Sequence, residues 1–177
     1  MSKTLVSELE RLVSALEEDG ASVTDVSLPA LANKIAKELR VNEDEVAILG
    51  VSYRWRHLHF LVPAALKNVG FVPLTSTSAL VAKTARESKA EINNNFPAVR
   101  HATVFEGVKA PTVSGESIQK IISAPILHEG KVVGVMQISR KGATPATAGA
   151  DFTAEDLAKV QAICKPLGKL VHVLAGE

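Results

Sequence analysis

The stretch from Ser117 to Ser139 constrains this chain more than any other. Ile118, Ile121, Ile122 and Ile126 crowd its first half, and Val132, Val133, Val135, Met136 and Ile138 its second. Two such runs of branched apolar residues predict strands over Ser117 to Leu127 and Lys131 to Ser139, joined as a hairpin by His128-Glu129-Gly130. Strict alternation along the second strand places Val133, Val135, Gln137 and Ser139 on one face. Val132, Gly134, Met136 and Ile138 then take the other.

Helical periods frame this hairpin. Leu5, Leu9, Leu12 and Leu16 recur at helical spacing among Glu8, Glu10, Arg11 and Glu17, which predicts an amphipathic helix ending near Asp19-Gly20. Its leucine stripe can pack on the domain or on a second subunit. Residues 1–27 are therefore expected to form an N-terminal helix and linker with a possible dimer seam, and residues 28–177 the main domain. A second helix starts at Ser27, with Pro29 in its first turn and Leu31, Ile35 and Leu39 as its buried stripe. Strands follow at 45–51 and 57–62, then a helix over Ser78 to Glu87, a short strand at 90–92 and a turn at Asn93-Asn94-Asn95.

Residues 96 to 117 hold Pro97, Gly107, Pro111 and Gly115 without a clear period, the pattern of a functional loop or lid. The stretch from Lys141 to Asp151 reads as a mobile linker. Thr153, with Asp156 three residues on, caps a last helix carrying Leu157, Val160, Ile163, Leu167 and Leu170, which Pro166 is expected to kink. Helices at both ends of a largely antiparallel sheet make this an α+β domain.

Composition removes several functions. With 46% hydrophobic and 22% charged residues, the chain is neither disordered nor membrane-embedded, and no apolar run approaches the ~20 residues of a bilayer span. Without such a run no membrane is expected as a partner; the net charge is +1, the cations are scattered and only seven residues are aromatic, so nucleic acid is not expected either. The single cysteine, Cys164, precludes an intrachain disulfide; with no apolar signal-peptide core at the N-terminus, this indicates a cytoplasmic protein.

At the hairpin and the last helix the sequence resembles the GAF domain family. The residues that carry this are Ile121-Ile122-Ser123-Ala124-Pro125-Ile126-Leu127, Gly130-Lys131-Val132-Val133-Gly134-Val135-Met136-Gln137-Ile138 and Phe152-Thr153-Ala154-Glu155-Asp156-Leu157. Gly70-Phe71-Val72-Pro73-Leu74 and Val81-Ala82-Lys83-Thr84 add the family's earlier strand-to-helix passage. The resemblance, over residues 28 to 174, implies a GAF-like (profilin-like) antiparallel sheet of five or six strands. It also implies terminal helices on one face and a small-molecule pocket on the other, roofed by the middle helix and the irregular loop. Family members bind cyclic nucleotides, tetrapyrroles or small metabolites, and some bind nothing known. Against the cyclic-nucleotide pattern, Lys141, Phe152 and Asp156 match, whereas Arg140 and Leu157 stand where asparagine and glutamate are expected. Lys141 and Asp156 are expected to form a structural ion pair.

The candidate ligand contacts are Asn93, Asn95, Arg100, His101 and Ser123, polar groups expected on the pocket side of an apolar cavity. Asn93 and Asn95 are equally readable as turn formers. His57 and His59 share a strand face, but no third ligand accompanies them, so no metal is expected. An enzyme of the free methionine sulfoxide reductase type would need a resolving thiol, and Cys164 stands alone between Ile163 and Leu167 as a small hydrophobe. The expected function is a sensory or regulatory domain that binds an unidentified small molecule, carries no resident cofactor, and acts as a homodimer through a separate partner. A ligand-free structural dimerisation domain is the alternative.

Overall fold

A computed structural model describes residues 2–18, 28–63, 66, 70–96 and 117–174. Helix α1 (Ser2–Glu18) and helix α2 (Leu28–Leu39) precede strands β1 (Val46–Ser52), β2 (His57–Val62) and β3 (Phe71–Pro73). Helix α3 (Leu80–Glu87), strand β4 (Glu91–Asn93), the long strands β5 (Ser117–His128) and β6 (Lys131–Gly142), and helix α4 (Ala154–Leu174) complete the order. The strands form one six-stranded sheet, β3-β2-β1-β6-β5-β4, in which every pairing is antiparallel.

The sheet is apolar on both faces, and each face has its own cover. On one side Ile48, Ile122, Ala124, Met136 and Ile138 pack with Leu31, Ile35 and Leu39 of α2 and with Val160, Ile163 and Leu167 of α4. On the other, Leu49, Val51, Leu58, Phe60 and Val135 pack with Val81 and Ala82 of α3. A smaller cluster of Phe96, Ile118 and Ile121, with Leu80 against it, lies beside this second layer.

Leu5 and Leu9 are buried in the helix-side core, and Leu12 is half-buried. Of the two dispositions open to the leucine stripe, these residues take the one against the domain. Lys34 Nζ lies 2.7 Å from Glu8 Oε2 and ties α1 to α2 at the surface.

The hairpin is tighter and longer than expected. His128 pairs with Lys131, which leaves a two-residue turn with positive φ at Glu129 (51°) and Gly130 (78°), the geometry that matches strand twist. The alternation of β6 is corrected at one point. Leu127 pairs with Val132 and Ile126 with Gly134, so Val133 is an extra residue in a β-bulge. Val133 therefore buries with Met136 and Ile138, while Val132 joins Val135.

Strand β6 also continues through Lys141 to Gly142, and the expected mobile linker is pinned beyond it. Thr144 and Thr147 hydrogen-bond reciprocally, and Arg140 Nη1 donates to Ala150 O at 2.6 Å. The buried Lys120 side chain accounts for much of this order. Its ammonium needs partners inside the fold, and finds Gly149 O at 2.5 Å and Asp151 Oδ1 at 2.8 Å.

Helix α4 opens with a reciprocal capping box. Thr153 N donates to Asp156 Oδ2 at 2.8 Å, and Asp156 N to Thr153 Oγ1 at 3.2 Å. The helix runs on through Pro166 to Leu174.

Candidate functional site

The α3 side of the sheet is largely apolar, with a few buried polar side chains from β5 and β6 set into it. Ser123 on β5 and Gln137 on β6 stand directly opposite in register, and both are buried. Thr84 comes down on them from α3, because it shares the inward stripe of that helix with Val81. Gln137 Nε2 donates to Ser123 Oγ at 3.2 Å, Ser123 Oγ lies 2.7 Å from Thr84 Oγ1, and Thr84 Oγ1 donates to Leu80 O at 3.0 Å.

These bonds form one directional chain, Gln137 to Ser123 to Thr84 to Leu80. Each hydroxyl accepts one hydrogen bond and donates one, so neither hydroxyl is stranded. An unmade bond at such depth costs about 1–3 kcal/mol, which explains why the polar groups are matched to one another. Every side chain in the cluster is uncharged. Its polar groups are two hydroxyls and one amide, all buried between α3 and the sheet.

The residues expected from sequence divide among several places. Ser123 is at the centre of the cluster. Asn93 lies at the end of β4, paired with Ile121, and its Oδ1 accepts Asn95 N–H at 2.8 Å. Asn93 thus serves as a turn former here, and Asn95 is exposed. The asparagine between them, Asn94, has the more consequential contacts: it donates to Phe152 O at 3.1 Å and accepts Phe152 N–H at 2.8 Å, clasping the entry to α4. Arg100 and His101 lie outside the described residues.

Lys141 and Asp156, expected as a pair, each have other partners. Asp156 turns back to cap its own helix, while Lys141 Nζ donates to Asp44 O at 3.3 Å and lies 3.9 Å from Asp44 Oδ2. Beside it, the buried carboxylate of Glu45 accepts Lys141 N–H at 2.6 Å and Asn42 N–H at 2.8 Å, which locks the turn before β1 onto the end of β6.

His57 stacks on Phe71 with ring centroids 4.1 Å apart, and its ring meets that of His59 edge-on at 5.9 Å. Among the described residues no group of three or more His, Cys, Asp or Glu side chains could hold a metal ion. Cys164 is buried, and burial pushes its thiol up to about 12, so it is protonated and a poor nucleophile at neutral pH.

Thr84 and Gln137 were not among the residues that sequence reasoning selected. The available signal was a glutamine interrupting the apolar run of β6, directly across from a serine in β5.

A helix-backed antiparallel sheet whose other face carries a short helix over a neutral polar cluster defines the class as an α+β domain. The GAF domain model matches residues 4–170, and the chain belongs to the GAF domain family. The fold is similar to that of the GAF domain of a phosphoenolpyruvate-protein phosphotransferase from Acinetobacter, at 17% identity and TM-score 0.66 over 100% of both chains. It is similar to free methionine-R-sulfoxide reductase from Neisseria meningitidis at 15% identity and TM-score 0.60, covering 99% of this chain and 92% of that one. The GAF domain of a two-component sensor histidine kinase from Bacillus halodurans matches at 16% identity and TM-score 0.57, over 84% of this chain and 95% of that one. No curated protein sequence matches. GAF domains are in general sensory or regulatory ligand-binding modules, and no helix among the described residues is long and apolar enough to cross a membrane.

Proposed function

We propose that this chain is a small-molecule sensor whose ligand sits on the α3 side of the sheet. The observation that carries the reading is the buried Gln137–Ser123–Thr84 chain in a largely apolar layer. Gln137 uses one end of its amide in that chain, and the other end is available to a ligand hydroxyl or amide. Phe96, Ile118 and Ile121 offer the apolar wall beside it. Asn93, Asn95, Arg100 and His101 belong to the same proposal as contributors from the loop side.

Ligand binding would act by favouring one state of the domain over another, in proportion to its differential affinity for the two. The signal then passes to a separate protein, with the chain as a homodimer. Because Leu5 and Leu9 face the chain's own core, a dimer would use other side chains of α1.

Native mass spectrometry of the purified protein, repeated under denaturing conditions, tests this. A small molecule lost on denaturation supports the sensor and gives the ligand's mass, and the native spectrum reads the oligomeric state. If the bare mass persists and a metabolite thermal-shift screen also gives no stabilisation, the sensor reading falls. The chain is then a structural dimerisation domain whose polar cluster satisfies only itself.

A further inference from the structure

Five large apolar side chains of the described residues stand in water: Tyr53, Trp55, Phe71, Leu127 and Val173. Trp55 is 66% exposed and Phe71 60%, too much for rings that serve the core. They come from separate elements, yet the topology brings them to one end of the sheet. Tyr53 and Trp55 lie in the turn between β1 and β2, and Phe71 pairs with His59 on the neighbouring strand. Leu127 closes β5 opposite Val132 at the start of β6. Helix α4 runs to the same end, with Gly168 against Leu127 O and Val171 against Gly134, so Val173 falls in its last turn there.

Basic groups are interleaved with these residues. The turn reads Tyr53-Arg54-Trp55-Arg56-His57, and Lys131 opens β6. Lys131 Nζ sits 3.8 Å from the centroid of Tyr53, Arg54 lies 5.1 Å from that of Trp55, and His57 stacks on Phe71. In the segments 53–57, 71–73, 127–131 and 172–174, Glu129 is the one acidic residue against Arg54, Arg56 and Lys131. The chain as a whole carries +1, so the cationic character is local to this end.

We propose that this end of the molecule docks on the surface of an anionic lipid bilayer. Exposed tryptophan and tyrosine beside arginine and lysine is the composition that settles at a headgroup boundary, with aromatic bodies among the acyl ends and cations on the phosphates. Other occupants fit less well. A second copy meeting this patch through a two-fold axis would set Arg54, Arg56 and Lys131 against themselves. Protein interfaces gather a charge-depleted apolar core inside a polar rim, whereas here cations alternate with the apolar tips. Single-stranded nucleic acid needs open aromatic faces for base stacking, and His57 and Lys131 already lie on faces of Phe71 and Tyr53. This reading departs from the sequence expectation of no membrane partner, which rested on the want of a spanning segment; docking on a bilayer surface needs none.

Trp55 is the chain's single tryptophan, so intrinsic fluorescence reports on this site directly. The full chain is titrated at low salt with vesicles of phosphatidylcholine and phosphatidylserine in equal parts, and with phosphatidylcholine alone. A blue shift with the mixed vesicles, quenching by acyl-brominated lipid and reversal by added salt are the expected results. Arg54→Glu with Arg56→Glu lowers vesicle partitioning by roughly a hundredfold without moving the thermal transition, and Lys131→Glu alone weakens it in the same direction. An unchanged spectrum with the mixed vesicles, equal binding to phosphatidylcholine alone, or full binding by the charge-reversed protein would overturn the proposal. A shift with a single-stranded oligonucleotide but not with vesicles would assign the surface to nucleic acid instead. Ser123→Ala leaves vesicle binding intact, which keeps this surface separable from the ligand site.

Discussion

Thr84 on α3 and Ser123 on β5 place their hydroxyl oxygens 2.7 Å apart in the interior, and this is the hydrogen bond that fastens the short helix to the centre of the sheet. Removing Ser123 Oγ strands Gln137 and leaves the Thr84 hydroxyl without its donor. Ser123→Ala is expected to cost about 1–3 kcal/mol in urea unfolding. Thr84→Val alone costs a similar amount, and the double variant costs less than the sum because both partners of the bond are gone. Strict additivity would show that the two hydroxyls do not act as a unit.

Gly168 sits against the carbonyl oxygen of Leu127 so closely that a Cβ would collide with the β5 backbone. Glycine inside a helix is ordinarily unfavourable by about 1 kcal/mol relative to alanine. Here the close approach of α4 to the sheet outweighs that preference. Gly168→Ala is expected to lower stability by about 1–3 kcal/mol, the range for overpacking, with a fall in the thermal midpoint. A neutral or stabilising result would mean that α4 stands farther from β5 than the structure places it.

Most of the fold was legible because the strong periods are local. The Leu5 and Leu9 stripe, the β5–β6 hairpin and the Thr153–Asp156 cap all declare themselves within a few residues. What stayed hidden depends on partners far away in sequence. The bulge at Val133 appears only when Leu127 is paired with Val132 and Ile126 with Gly134. The Lys141–Asp156 expectation came from a family pattern, which does not disclose the other partners of these side chains, Asp44 for one and the Thr153 cap for the other. Of the candidate site, Ser123 was legible as a polar residue in an apolar strand. Thr84 was not, since only the packing of α3 across β5 brings it within bonding distance.

That reassignment has a testable consequence. Thr153→Ala removes the hydroxyl cap of α4 and is expected to cost about 1 kcal/mol. Asp156→Ala is expected to have a similar effect, because it breaks the other half of the same box. Lys141→Ala should be additive with Asp156→Ala within about 0.5 kcal/mol, as for groups without a shared contact. A coupling well above that in a double-mutant cycle would restore the Lys141–Asp156 pair.

Cys164 gives stability a pH dependence of defined sign. Its thiol titrates near 9.0 when unperturbed, and burial raises it to about 12 in the fold. Below the lower value both states keep the proton, and the group contributes no slope. Above it the unfolded chain loses the proton while the folded chain retains it, so stability declines as pH rises from the lower value towards the upper, by at most about 1.4 kcal/mol per pH unit. Other groups titrate in that range, so the measurement is the difference between the native chain and Cys164→Ala across it. The native protein should lose stability more steeply, and at neutral pH an aromatic disulfide reagent should label Cys164 only after denaturant is added. Rapid labelling of the folded protein would show an accessible thiolate and reopen a redox role for this residue. Protection until unfolding, together with ligand binding unchanged in Cys164→Ala, leaves it as part of the packing between α4 and the sheet.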